Sequence, residues 1–389
     1  VTEKLPWPLD DGGQIRSWHM LAALRREGPV TVLAPAPENP ACAQALREQG
    51  IDLELFAARR SPAWKLWSLL RSLFTRRPHP LPKNHSSALL KSLCEHLGRA
   101  DLRRVHFNHL DAAQYLLELG PLARGTPTSI DTHNLLTGLY QRLCEQTSNP
   151  LTRAYIHLQW RKMAAIEPRI LRLAQRVLVC SQPEREQLRV WGVERVRVVP
   201  NGVDLERNQP APPRTGEPRR LVFCGGMDYL PNADGVRWFL TDCWPRLVER
   251  NPALELLVVG RHPPPDLAQF GDRRVRFTGR VEDVREAVAS GDFSIVPLRI
   301  GGGTRLKILE SLALQRAVVS TRVGAEGLEL ENGTQILLAD SAEEFCAAVQ
   351  TLLDDPARRE QLARAGQAQV HERYGWERVT AGAFDMDAP

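Results

Sequence analysis

Between residues 293 and 310 the chain places a strand, three glycines, a threonine, two cations and a carboxylate in an order that suits an oxygen-rich anion. Phe293, Ser294, Ile295 and Val296 form a short apolar run of buried-strand type. From 305 to 315 apolar residues recur at helical spacing: Leu306, Leu309 and Ala313, then Ile308 and Leu312. Between the two, Gly301, Gly302 and Gly303 let backbone N–H groups close on a ligand, and Thr304 is of the type that caps a helix. Arg305 and Lys307 fall in the first helical turn, where the macrodipole disfavours cations by about 0.3–1 kcal/mol each. A bound diphosphate turns that cost into attraction. Glu310, one turn further along, is placed for a ribose diol. The Gly-Lys-Ser/Thr ending of a P-loop is missing. Taken alone, the pattern also fits an ordinary strand-to-helix turn with solvated cations.

Other polar clusters follow the same logic. Gly12 and Gly13 open an amphipathic helical pattern carrying Ile15, Met20, Leu21 and Leu24. A strand reading at 104–108 runs into Asn108, His109 and Asp111, and a second at 128–132 ends in His133 and Asn134. In open α/β sheets ligands gather at the carboxyl ends of strands. A lone histidine there is more often a hydrogen-bonded structural residue than a ligand contact. Residues 220–224 make another strand, ending in Gly225 and Gly226.

Residues 297–310, with 317–328 behind them, resemble the donor site of glycosyltransferase family 4, retaining enzymes of the GT-B fold. Many members carry two glutamates separated by seven residues. The second, on the ribose, matches Glu310; the first, which touches the donor sugar, falls at Gly302. That departure resembles a branch of the family with a Gly-Gly-Gly-Thr-Arg-Leu-Lys loop. The resemblance implies that Gly12 and Gly13 face donor phosphates and acceptor, that His133 lies near the donor sugar, and that Arg280 and Val281 hold the nucleotide base through backbone groups. Many relatives also carry an Arg and a Lys after the strand that here ends at Cys224. Those are absent, so the phosphate charge is expected to fall on Arg305 and Lys307. Asn108, His109 and Asp111 are assigned to the acceptor on position alone.

The elements that must hold these residues alternate strand and helix twice, which predicts an α/β chain of two doubly wound, Rossmann-like domains facing across a cleft. The 389 residues are enough for two cores. Boundaries are expected at 1–204 for an acceptor-side domain, 205–219 for a polar, Pro-rich linker and 220–372 for the nucleotide-sugar domain. Residues 373–389 are expected to cross back toward the first. Val1, Thr2 and Glu3 read as the tail of a strand.

Seven widely spaced cysteines without a Cys-x-x-Cys favour reduced thiols over disulfides or zinc. The sole Asp-x-Asp, at 385–387, is a poor metal motif, and the expected reaction needs no metal and no cofactor beyond the nucleotide-sugar co-substrate. No apolar run approaches a membrane span and no signal peptide is visible, so the expected location is cytoplasmic. Residues 1–200 hold 28 Lys and Arg against 18 Asp and Glu, while the remainder holds 23 against 28. Residues 59–77 contain six basic residues and no acidic one. As a helix they fit either peripheral contact with an anionic membrane or a core helix with a basic outer face. No nucleic-acid module accompanies the charge.

The expected function is transfer of a hexose-type sugar from a UDP- or GDP-sugar, with retention, to a glycan, lipid-linked or small-molecule acceptor. Bacterial surface polysaccharide synthesis comes first among the settings. A sugar-nucleotide epimerase of the same fold and a non-catalytic nucleotide-sugar-binding scaffold stay open as alternatives.

Overall fold

The computed structural model describes the whole chain except residues 58–60, 80, 82–84, 124, 213, 215, 217 and 386–389, together with the side chains of 62, 65, 66 and 121. Arg59 and Arg60 of the basic segment, and Met386 and Asp387 of the Asp-x-Asp, therefore lie outside the described residues. The chain divides into two compact units, Val1–Val199 with Thr380–Pro389, and Pro200–Val379.

In the first unit six parallel strands are described: β1 (Thr31–Pro35), β2 (Asp52–Phe56), β3 (Val105–Asn108), β4 (Thr128–Asp131), β5 (Arg176–Val179) and β6 (Val196–Val198). β1 pairs with β2, and β3 to β6 pair in sequence order. Thr2 joins the two sets. Its N–H donates to the Leu33 carbonyl at 3.0 Å, and it bridges Asn108 in parallel. The spatial order β2, β1, Thr2, β3, β4, β5, β6 is that of a doubly wound sheet, with its reversal between Thr2 and β3. β4 and β5 are buried on both faces, as parallel strands covered by helices must be. The helix Gly12–Arg25 follows the Thr2 position, capped by Asp11, whose side chain accepts the Gln14 N–H at 2.8 Å.

The second unit repeats the plan with β7 (Arg220–Cys224), β8 (Glu255–Val259), β9 (Val275–Gly279), β10 (Phe293–Val296), β11 (Val318–Ser320) and β12 (Leu337–Leu338). The order is β12-β11-β10-β7-β8-β9, all parallel, so the chain reverses direction between β10 and β7. Its core buries Phe223, Phe239, Phe293 and Phe345, with the Trp238 and Phe345 rings edge to face at 5.6 Å.

Three local expectations change. The linker reading at 205–219 meets a segment pinned to the second unit: Arg316 donates to the carbonyls of Ala211 and Pro212, while Arg214 and Arg219 both pair with buried Asp292. The unit boundary falls at 199/200 instead. Thr304 does not cap the following helix, which runs Leu306–Ala313 with Arg305 at the cap position. The Thr304 hydroxyl and carbonyl are taken by the backbone N–H and side-chain amide of Asn201, at 3.3 and 3.0 Å. Finally, among the described side chains of the helix Pro62–Phe74, Ser68 and Ser72 are buried while Trp67, Leu69, Leu70, Leu73 and Phe74 are exposed, the reverse of a core helix.

Candidate active site

In the second unit the reversal between β10 and β7 brings together the loops most charged with chemistry. β7 ends at Cys224, and Gly225 and Gly226 then turn the chain toward the helix Leu230–Trp238. β10 ends at Val296, and residues 297–305 lead into Leu306–Ala313. Two helix N-termini thus open beside the carboxyl ends of neighbouring strands, the arrangement in which backbone N–H groups receive anions.

Lys307 crosses from one loop to the other. Its ammonium lies 2.7 Å from the Asn232 side-chain carbonyl and 4.2 Å from the centre of the Phe223 ring. Asn232 in turn donates to the Gly226 carbonyl at 2.9 Å, so it fixes both the turn and the lysine. A Cβ on Gly225 would come within 2.6 Å of both the Lys307 Nζ and the Asn232 amide nitrogen, so only glycine leaves room for this contact. Burial pushes the Lys307 ammonium down to about 7, only partly countered by the Cys224 sulfur and Glu310. Glu310, one helical turn on, is half-buried; burial pushes its carboxyl above the usual range and Lys307 pulls it back. The Cys224 thiol is pushed up to about 12 by burial and is inert.

Arg305 behaves differently from Lys307. Its guanidinium folds back on the carbonyls of Gly302 and Gly303, bracing the glycine loop from within. A Cβ on Gly301 would collide with that guanidinium. Beyond β7, the ends of β8 and β9 extend the same edge of the sheet. Gly260 donates to the Gly279 carbonyl at 3.2 Å, and Arg280 and Val281 follow directly. Arg261 lies beside Gly226 and pairs with Asp228 at 3.1 Å.

In the first unit His133 is the centre. Its Nε2 lies 2.8 Å from the Asn108 side-chain carbonyl and 3.5 Å from an Asp131 oxygen. Which way Asn108 points is settled by its neighbours. The Thr2 and Ser17 hydroxyls give their protons to the Lys4 and Gly13 carbonyls, so both can only accept from the Asn108 NH2, at 3.1 and 2.8 Å. The Asn108 oxygen therefore faces His133, and Nε2 carries the proton. Burial holds the imidazole neutral, pushing it down to about 3. Nδ1 is left as an acceptor, and a Cβ on Gly13 would stand 3.6 Å from it.

Asp131 is clamped by Arg16 through bonds of 2.8–3.1 Å, and Arg16 also donates to the Val199 carbonyl at 2.9 Å. Both charges are buried, so the pair ties the helix Gly12–Arg25 to β4 directly beneath His133. His109 donates its N–H to the Asp131 carbonyl at 2.7 Å, and its ring stands edge-on to His133 at 5.5 Å. Glu3, His109 and buried Asp111 bring their ligand-type atoms within 4.8 Å of one another, the one group of metal-ligand type found among the described residues.

The expected donor residues Gly225, Gly226, Arg280, Val281, Gly301, Gly302, Gly303, Thr304, Lys307 and Glu310 all fall on the carboxyl side of the second sheet or on the helix leaving it. Gly12, Gly13, Asn108, His109, Asp111 and His133 fall on the corresponding side of the first. Asn108, expected at the acceptor, is the hydrogen-bond partner of His133. Sequence reasoning missed Asn232, Arg16 and Asp131. Asn232 carried no signal; Arg16, a charge on the apolar side of an amphipathic helix between Ile15 and Met20, was a hint of a buried partner.

Two parallel, doubly wound units with glycine loops at their reversals define a GT-B protein, and solved structures agree. The Anabaena Alr3699/HepE crystal structure in complex with UDP and glucose superposes with a TM-score of 0.71 over 99% of this chain and 97% of its own, at 14% identity. Sucrose-phosphate synthase from Thermosynechococcus elongatus gives 0.70 over 99% and 97%, at 19%. The model "Glycosyltransferase Family 4" matches residues 11–207 and "Glycosyl transferases group 1" matches 218–355. The chain belongs to the group 1 glycosyltransferases of family 4. A phosphatidyl-myo-inositol mannosyltransferase of Mycolicibacterium smegmatis is 33% identical over 217 residues, 53% of this chain and 55% of the relative. A glycogen synthase of Mycobacterium tuberculosis is 26% identical over 256 residues, 60% of each chain. The chain thus matches little more than half the length of these curated relatives.

Proposed function

We propose that the protein transfers a hexose-type sugar from a UDP- or GDP-sugar to a glycan, lipid-linked or small-molecule acceptor, with retention of configuration and without a metal. The observation that carries this reading is the Lys307 ammonium held by Asn232 and Phe223 against the Gly225–Gly226 turn, one helical turn from Glu310. The ammonium, in this reading, meets the diphosphate and the carboxylate meets the ribose. In this reading Lys307 fills the role of the basic residues that many relatives carry after β7. Backbone groups of the glycine loop, braced by Arg305, receive the remaining phosphate oxygens. Arg280 and Val281 meet the base through their backbone.

In the first unit His133 offers Nδ1 to a sugar hydroxyl, with Gly13 leaving the approach open. Gly302 stands where many relatives carry a sugar-binding carboxylate, so no enzyme carboxylate is assigned as nucleophile and a front-face route fits best. The bond from the anomeric carbon to the diphosphate oxygen breaks, and the acceptor oxygen bonds to the same face of that carbon. The acceptor's proton passes to the departing phosphate oxygen. Catalysis is then chiefly stabilisation of the leaving diphosphate and alignment of the partners. Relatives named phosphatidyl-myo-inositol mannosyltransferase favour a lipid-linked acceptor.

A donor screen by thermal shift and turnover, with UDP- and GDP-sugars, tests the reading. One donor is expected to stabilise and be consumed by the wild type. In Glu310→Ala, loss of a charge-assisted hydrogen bond should weaken its affinity by about tenfold or more. If no nucleotide stabilises the wild type, the donor site is wrong. If a donor binds but no acceptor or water ever takes its sugar, the scaffold alternative replaces the enzyme.

A further inference from the structure

The helix Pro62–Phe74 is laid on the first unit the wrong way round for a soluble protein. Ser61 caps it, its hydroxyl accepting the Trp64 N–H at 3.1 Å, and the side facing the protein carries Ser68 and Ser72. The Ser68 hydroxyl meets the His79 ring at 3.1 Å. Ser72 meets the Tyr155 hydroxyl at 3.2 Å and the Gln159 amide at 3.3 Å, both from the helix Pro150–Leu171. Lys162 of that helix donates to the last-turn carbonyls of Ser72 and Leu73, as a cation at a helix C-terminus should. This attachment is polar and specific. It leaves the apolar residues outward: Trp67, Leu69, Leu70 and Leu73 are 38–51% exposed and Phe74 is 89% exposed.

Isolated exposed apolar residues need no explanation, but five on one 13-residue helix form a patch that marks an interaction surface. The charge around it says what kind. No acidic residue occurs between Glu54 and Glu95, while eight Lys or Arg do. Arg71 and Arg76 are exposed on and just beyond the helix itself, and the Arg71 guanidinium lies 5.0 Å from the Trp67 ring centre. Trp67 also stacks on Trp64 at 4.7 Å. Tryptophan, aliphatic side chains and arginine sharing one face suit the boundary between acyl chains and anionic headgroups, where rings and stems sink in and guanidinium groups stay with phosphates. No described helix is long and apolar enough to cross a membrane, and this one, about 20 Å long, fits flat on a surface.

We propose that the outward face of the helix Pro62–Phe74 docks the protein onto an anionic lipid bilayer, Trp67, Leu70, Leu73 and Phe74 entering the interface and Arg71 and Arg76 pairing with headgroup phosphates. The proposal does not need the sugar-transfer reading, because its readout is binding to vesicles with no nucleotide present.

Vesicle flotation with the full chain tests it. The expected result is binding to phosphatidylcholine vesicles containing phosphatidylglycerol, weak binding to phosphatidylcholine alone, and release by high salt. Trp67→Ser, Leu70→Ser and Phe74→Ser together, and separately Arg71→Glu with Arg76→Glu, should each weaken binding by about tenfold or more. Thermal unfolding should not change, because the altered side chains are already exposed. As a second measurement on an otherwise intact chain, brominated phosphatidylglycerol should quench tryptophan emission in the wild type and less in Trp67→Phe. Absence of binding to phosphatidylglycerol vesicles overturns the proposal, as does binding that both sets of substitutions leave unchanged. A wild-type dimer in solution that the triple serine variant abolishes also overturns it, by making a second copy the occupant.

Discussion

At the scale of single residues, Lys307 is the group whose behaviour most directly reports what binds. Burial lowers its folded value to about 7, while the unfolded chain keeps the ordinary 10.5. Between those values the unfolded chain holds the extra proton, so this residue's contribution to stability rises with pH; below about 7 both states are protonated and the burial cost is present in full. A diphosphate reverses the preference by favouring the ammonium form. Nucleotide binding at about pH 8.5 should therefore take up close to one proton, and almost none at about pH 6. Calorimetry in two buffers of different ionisation enthalpy measures this, and Lys307→Met should abolish the uptake. Equal heats in both buffers for the wild type at the higher pH would place the ammonium away from the phosphates. Lysine after a glycine loop reads in sequence as a candidate phosphate cation. That Asn232, from another loop, would hold it against Phe223 was not, since nothing local to Asn232 encodes a partner 75 residues away.

At the scale of elements, two glycines at the carboxyl edge of the second sheet separate function from folding. Gly260 follows β8 at φ 159°, and a Cβ there would lie 1.9 Å from the backbone oxygen of Gly225. A Cβ on Gly225 would instead meet the ends of two side chains, Lys307 and Asn232. Gly260→Ala must push one loop off the other and should cost several kcal/mol, roughly the 3–5 kcal/mol seen for severe core substitutions. Gly225→Ala, at nearly the same φ of 158° but against movable side chains, should cost clearly less stability than Gly260→Ala yet cut nucleotide affinity about tenfold or more by displacing the ammonium. Chemical denaturation and a binding titration on the two variants distinguish these outcomes; similar losses of stability in both would mean that the Gly225 turn is not built around the lysine. The strands themselves were readable because parallel strands covered on both faces are short apolar runs, and glycine after such a run marks a loop. Side-chain direction was not. Residues 59–77 have the same composition whether the helix turns its leucines inward or outward, and only the hydrogen bonds of Ser68 and Ser72 to the helix Pro150–Leu171 and to His79 decide it. Arg305 reads as a phosphate ligand in sequence; that its Nη1 also braces the carbonyls of Gly302 and Gly303 was not legible there.

At the scale of the whole molecule, the two units differ in how the chain builds them. Alternating strands and helices foretold two doubly wound sheets, but where one unit ends depends on contacts between distant segments. The second unit is one continuous stretch, Pro200–Val379, whose core draws only on its own residues. The first needs both ends of the sequence: Ala383 and Phe384 pack with Met20, Leu178 and Val199, the Phe384 ring stands edge-on to His106 at 5.0 Å, and Arg104 donates to the Phe384 carbonyl. A fragment of residues 200–379 should therefore unfold cooperatively and bind the nucleotide that the full chain binds. The chain cut after Val379 should keep that binding but lose stability in the first unit. Removing a buried phenylalanine costs about 3–5 kcal/mol, which for a unit of this size lowers its transition by roughly 10 °C. Calorimetric scans with and without nucleotide assign each transition, since only the second unit's should rise with ligand. If the cut lowers the nucleotide-responsive transition instead, the closing residues belong to the second unit; if 200–379 alone is unfolded, its core is not sufficient and the division between the units is wrong.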